Sequence, residues 1–214
     1  DRLYQADPAL AEALARAREI NLMASGGGAM TSSVADPASA GAAKAGVASI
    51  LAQTAAQFLV DPQGPSVAVL DLSGWDSHVG AFGPQSALSK NLVALDAGLA
   101  ALKAGLGAAW RGTVVLVATE FGRTVRPNGT DGTDHGTGAA AFLLGGALRP
   151  VPVRADWPGL STAALYQGRD LQPTSDLRAV AKGVLLEHLR LPEATLDTAV
   201  FPDSRGVKPL SGLV

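Results

Sequence analysis

The spacing of apolar positions divides the chain into helices and short extended runs. Leu10, Leu14 and Ala17 recur at helical spacing behind Asp7-Pro8, an N-cap with proline at the first helical position. They predict a helix to Ile20, ended by Ser25-Gly-Gly-Gly28. The same start signal, Asp36-Pro37, opens a second helix through Ile50, Leu51 and Phe58, which Asp61-Pro62-Gln63-Gly64-Pro65 stops. Ala87–Ala109 carries Leu88, Leu92, Leu95, Leu99, Leu102 and Leu106 on one face, the stripe of an amphipathic helix. Thr174-Ser175-Asp176 caps a last helix to about Leu189.

The extended runs are short and apolar. Ser66–Asp71 and Thr113–Thr119 are bounded by turn formers and read as buried strands, and Ala140–Leu144 reads as a third. Strand, long helix and strand in succession predict a βαβ unit, hence two parallel strands joined by a right-handed crossover. Glu120–Gly138 between them is a loop dense in Gly, Thr and Asp, and Arg149–Gln172 is irregular and rich in Pro and Gly. Neither a repeat nor an interdomain linker is visible, so the 214 residues read as one α/β domain, residues 1–214.

Composition narrows the function classes. The chain is 47% hydrophobic and 17% charged, too apolar for a disordered segment. A net charge of −2 gives no electrostatic footprint for nucleic acid. The absence of cysteine removes disulfides, thiolate zinc sites, thiol catalysis and iron–sulfur clusters. The longest apolar stretch, Ala139–Leu148, is broken by two glycines and falls short of the roughly 20 residues of a membrane-spanning helix.

In a parallel α/β sheet, ligands bind outside the carboxyl ends of the strands. Two polar clusters follow the expected strands there. The first is Gly74-Trp75-Asp76-Ser77-His78; the second is Glu120-Phe121-Gly122-Arg123-Thr124, continuing into Gly132-Thr133-Asp134-His135-Gly136. Residues two apart in extended backbone point the same way, so Asp76 and His78 can face one ion, with Ser77 aimed opposite. Glu120 would reach that ion from the neighbouring strand end, and His135 and Asp134 from the glycine-rich loop. Imidazole and carboxylate ligands suit zinc or manganese. Such an ion would polarise a phosphoryl or sulfuryl oxygen. Arg123 would supply a fork for the oxyanion as a catalytic residue.

Each residue also has a plainer reading. Glu120 can pair with Arg123, Asp134 can serve a turn by bonding its own backbone, and Trp75 can belong to the core. His188 sits at a helix C-terminus, where its partial charge suits a surface role. Asn128-Gly129-Thr130 matches a glycosylation pattern but is too short to be informative.

Seven motifs in order carry a family resemblance: Gly-Trp-Asp-Ser-His (74–78), Leu-Asp in the Leu-rich helix (95–96), Glu-Phe-Gly-Arg-Thr (120–124), Gly-Thr-Asp-His-Gly (132–136), Trp-Pro-Gly-Leu (157–160), Gly-Arg-Asp-Leu (168–171) and Thr-Ser-Asp-Leu-Arg (174–178). With the opening Leu-Tyr-Gln-Ala-Asp-Pro-Ala-Leu (3–10), the chain resembles the bacterial domain-of-unknown-function-1501 family, which is grouped with the alkaline phosphatase and sulfatase superfamily. The resemblance implies a three-layer αβα fold with a mainly parallel sheet. It implies a divalent metal, zinc by preference and manganese or calcium otherwise, on Asp76, His78, Glu120, Asp134 and His135. It further implies hydrolysis of a small phosphate or sulfate ester and a periplasmic or secreted location.

Family relatives carry a segment ahead of the point where this chain starts, with the first strand's Asp ligand and the nucleophilic Ser or Thr. The chain is therefore expected to be the C-terminal part of a longer domain, with an incomplete site and a sheet edge open to self-association. Three departures are visible. Asp76-x-His78 replaces the superfamily's Asp-x-x-x-His, Glu120-Phe121 stands where Asp-His is usual, and the nucleophile is not evident. A non-catalytic, exported metal-binding or interaction domain is the alternative function. Neither nucleic acid nor membrane is an expected partner.

Overall fold

In the computed structural model, the structure describes residues 37–150 and 153–214. The expected helix at 7–20 lies outside them. The described residues form two compact units: one takes those up to Leu72 together with Val93–Gly105, and the other those of Ser73–Leu92 and from Leu106 on.

The first unit rests on helix packing. Helix α1 is Pro37–Val60, starting where the Asp-Pro signal placed it, and α2 is Ala87–Leu106, whose Val93–Gly105 stretch belongs to this unit. Ala48, Ala52, Ala55 and Ala56 on α1 and Ala94 and Leu102 on α2 are buried. The contact is built from small residues: a Cβ on Gly98 would lie 3.4 Å from the Ala48 Cβ, and one on Gly105 only 2.7 Å from that of Ala56. Helix axes approach this closely only where side chains are nearly absent from the contact. The Leu stripe of α2 is therefore only part of its buried face, and Leu92 stands half exposed. Continued through a 3₁₀ turn, Gly107–Gly112, the helix has the length and hydropathy to cross a membrane, a property that core helices share.

The expected αβα fold with a mainly parallel sheet is not what the described residues form. They hold helices and two small antiparallel pairs. Strand β1, Val115–Val117, pairs with β4, Phe142–Leu144, in the register Val115↔Leu144, Leu116↔Leu143 and Val117↔Phe142. Strand β2, Gly122–Arg123, pairs with β3, His135–Gly136. The βαβ expectation failed at its first strand. Ser66–Asp71 makes no ladder, and Val67, Val69 and Leu70 are exposed rather than buried. Without that strand, β1 has no parallel neighbour among the described residues. The segment from β1 to β4 contains the β2–β3 hairpin and no crossover helix, so the chain returns antiparallel.

In the second unit, helix α3, Leu177–Glu187, starts at the predicted cap, where the Asp176 side chain accepts the Arg178 N–H. It packs on the C-terminal segment. Leu210 N–H donates to Ala179 O at 2.8 Å, and the Glu187 carboxylate takes the N–H groups of Gly212, Leu213 and Val214 at 2.6, 2.8 and 2.9 Å. Beyond α3, the one-turn helix α4, Glu193–Thr195, runs into a wide turn, Leu196–Val200. Leu165, Leu196 and Leu213 are buried in this unit.

Candidate metal centre

The β2–β3 pair brings the two polar clusters together. Its register sets Arg123 directly opposite His135, and opposed residues in a ladder project from the same face. Both side chains reach Asp76. His135 Nε2 lies 2.9 Å from Asp76 Oδ1, and an Arg123 N–H donates to the same oxygen. His78, two residues beyond Asp76, brings its own Nε2 to 3.0 Å from that oxygen. Asp76, His78 and His135 each offer a ligand atom within 4.8 Å of the other two, and all three are exposed.

The loop geometry that allows this is specific. Gly132 crosses the backbone of His78 so closely that a Cβ there would lie 2.0 Å from the His78 carbonyl oxygen. Around that crossing, Thr133 N–H donates to Ser77 O, Gly80 N–H to Thr130 O and Ala81 N–H to Asp131 O. Asn128 Nδ2 and Thr130 Oγ1 both donate to His78 O, at 2.9 and 2.8 Å. Upstream, Asn91 of α2, itself buried, donates to Gly74 O. Thus the 74–81 segment is held at its start by a helix and at its end by the 128–134 loop.

Arg123 is a clamp. Its Nε donates to Thr133 Oγ1 at 2.9 Å, one terminal nitrogen to Asp76, and the other to Ser77 O at 2.7 Å and to Thr133 O. Four of the five guanidinium N–H groups are thereby taken by the protein itself. The guanidinium is also the largest reason why the Asp76 carboxyl is held below its ordinary pKa, ahead of the two imidazoles. The Asp134 carboxyl is likewise lowered, first by Asn128 and then by His78.

The residues singled out in the sequence fall into distinct places. Asp76, His78 and His135 converge. Asp134 lies behind His78, its Oδ1 3.4 Å from His78 Nδ1, and is not in the converging group. Glu120 is exposed and also outside that group, and Arg123 pairs with Asp76 rather than with Glu120. His188 is the C-cap residue of α3, and Trp75 is half-buried. Ser77 Oγ is buried with no hydrogen-bond partner among the described residues, so no base stands beside it.

Sequence reasoning missed Asn128, Thr133 and Phe121. Asn128 carried a signal, since Asn-Gly-Thr in a loop is an Asx-turn sequence. Its Oδ1 accepts the N–H groups of Thr130 and Gly132, both at 3.0 Å. Phe121 stacks on His135 with ring centroids 4.2 Å apart and planes at 22°, a contact that no sequence period announces.

The donor set fits a borderline divalent cation. A tetrahedral ion with bonds of about 2.0 Å sets its ligand atoms about 3.3 Å apart. The two imidazole-to-carboxylate separations of 2.9 and 3.0 Å are close to that. Two imidazoles favour zinc or manganese over calcium, which takes oxygen ligands.

Among the described residues, Asp76 and His78 of one loop and His135 of β3 thus form an exposed two-histidine, one-carboxylate cluster that could hold a metal ion. The family profile of proteins of unknown function designated DUF1501 matches residues 8–198, and the chain belongs to that family. No curated protein and no solved structure matches the chain.

Proposed function

We propose that the protein binds one divalent transition metal, zinc by chemistry, on Asp76, His78 and His135, and that this centre serves hydrolysis of a small phosphate or sulfate ester. The observation that supports it is the convergence of both Nε2 atoms on a single carboxylate oxygen, at 2.9 and 3.0 Å, on an exposed surface. Three protein ligands with one open side is the pattern of catalytic rather than structural zinc. A cation held there supplies Lewis-acid chemistry toward an ester oxygen.

The chain's own residues do the rest. Asp76 supplies the negative charge that offsets the cation. Arg123 fixes Asp76 and keeps one N–H free for an oxyanion at the same edge. Phe121 holds the plane of His135. The order of the motifs supports an ester hydrolase of the phosphatase and sulfatase kind. An exported location follows from the same likeness.

A second reading is a binding centre without turnover. Two observations favour it: the near-complete internal use of Arg123, and the lack of a base at Ser77. Nitrophenyl phosphate and nitrophenyl sulfate assays on the zinc-loaded protein separate the two. The hydrolase reading expects nitrophenol release that stops on chelation and in Asp76→Ala. Stoichiometric zinc without release leaves the binding centre and ends the hydrolase reading.

A further inference from the structure

We propose that Asp134 is a positioning residue for His78, acting through the imidazole Nδ1 rather than as a metal ligand. This rests on the metal reading of the centre. The His78 ring lies between two carboxylates, with Nε2 3.0 Å from Asp76 Oδ1 and Nδ1 3.4 Å from Asp134 Oδ1. A neutral imidazole has one N–H. Placed on Nδ1 toward Asp134, it leaves the Nε2 lone pair facing the centre, as a metal ligand requires. Placed on Nε2 toward Asp76, it blocks that nitrogen. Asp134 therefore selects the tautomer that can bind.

Asp134 is itself well fixed. Its backbone N–H donates to Thr124 Oγ1 at 3.1 Å, and its carbonyl accepts the Thr124 N–H at 2.9 Å. Asn128 Nδ2 donates to Asp134 Oδ1 at 3.2 Å. The orientation of that amide is set in turn, because its oxygen accepts from Thr130 N and Gly132 N. A carboxylate pinned this way stays behind the ring. The 3.4 Å contact is at the long end for a hydrogen bond. Electron withdrawal at Nε2 makes the Nδ1–H a stronger donor, so the contact gains most when the centre is loaded. His135 is oriented by stacking on Phe121, so the two imidazoles are held by different devices.

The test uses the full chain, Asp134→Ala, and Asn128→Ala as a milder second variant, each checked for folding by far-ultraviolet circular dichroism. In metal-free protein at alkaline pH, long-range ¹H–¹⁵N spectra should show His78 as the Nδ1–H tautomer, shifting toward Nε2–H in Asp134→Ala. With cobalt as the probe ion, Asp134→Ala should weaken binding about 10- to 100-fold while the visible absorption bands keep their shape. Asn128→Ala should show a smaller loss in the same direction. Changed cobalt bands in Asp134→Ala would make Asp134 a ligand and overturn the assignment, as would unchanged tautomer and affinity. If the parent chain takes up neither cobalt nor zinc, the metal reading fails by itself, and the tautomer shift alone decides whether Asp134 sets His78.

Discussion

Replacing Lys182 with methionine should cost the second unit much of its stability. Lys182 is fully buried on α3, and its three ammonium N–H groups meet three acceptors: Asp197 Oδ1 at 2.5 Å, Ser204 O at 2.7 Å and Val207 O at 2.9 Å. Methionine keeps the volume and removes all three donors at once. It leaves the Asp197 carboxylate, whose side chain is 12% exposed, without its counter-ion. Removing one partner of a buried ion pair costs about 3–5 kcal/mol. Against the roughly 5–15 kcal/mol that holds a domain folded, that is a large share. At a urea dependence of about 2 kcal/mol per molar, the midpoint should fall by about 1.5–2.5 M.

The double variant Lys182→Met with Asp197→Leu removes the stranded charge and leaves only two carbonyls unmet, each costing about 1–3 kcal/mol at most. It should therefore be more stable than the sum of the single changes predicts, with a coupling of about 2 kcal/mol. Urea unfolding followed by circular dichroism and tryptophan fluorescence measures all four proteins. A Lys182→Met loss below about 1 kcal/mol, or strict additivity in the cycle, would refute the reasoning, because either means that the ammonium carries no paired, desolvated charge.

Other parts of the chain make similar claims. The Glu187 carboxyl is held below its ordinary range, first by the Val214 N–H and then by those of Gly212 and Leu213. A lowered carboxyl contributes stability that is complete above the unfolded-state value and lost as pH falls through the folded one. Glu187→Gln should thus be less stable than the parent at neutral pH, with the gap closing below about pH 4 in unfolding curves taken across pH. Gly132→Ala would press a methyl group into the His78 carbonyl, so it should lower stability by about 1–3 kcal/mol and weaken zinc binding in the same samples. In the first unit, Gly105→Ala should destabilise by crowding Ala56. Gly98→Ala, with ordinary contact to Ala48, should gain up to about 1 kcal/mol of helix propensity, and thermal melts rank the pair.

The helices were legible because their boundaries are local chemistry. Asp36-Pro37 and Thr174-Ser175-Asp176 announce α1 and α3, and the chain obeys both signals. Of the three expected strands, two are present as β1 and β4, while β2 and β3 lie in the segment expected to be loop. An apolar run states that a segment is extended and not what lies beside it, and Ser66–Asp71 has the composition of a buried strand yet makes no ladder. The parallel sheet fell with it.

At the centre, Asp76 and His78 were readable from their two-residue spacing and His135 from its glycine-flanked loop. The roles of Arg123, Asn128 and Phe121 depend on register across β2 and β3 and on a loop crossing at Gly132. Such contacts join residues between 12 and 54 positions apart along the chain, where no periodicity reaches.

Zinc uptake by the purified full chain, measured by equilibrium dialysis and elemental analysis beside Asp76→Ala and His135→Ala, tests the central claim most directly. About one ion per chain in the parent, and strongly reduced uptake in both variants, is the predicted result. A parent that retains no zinc, or variants that retain as much as the parent, would contradict it.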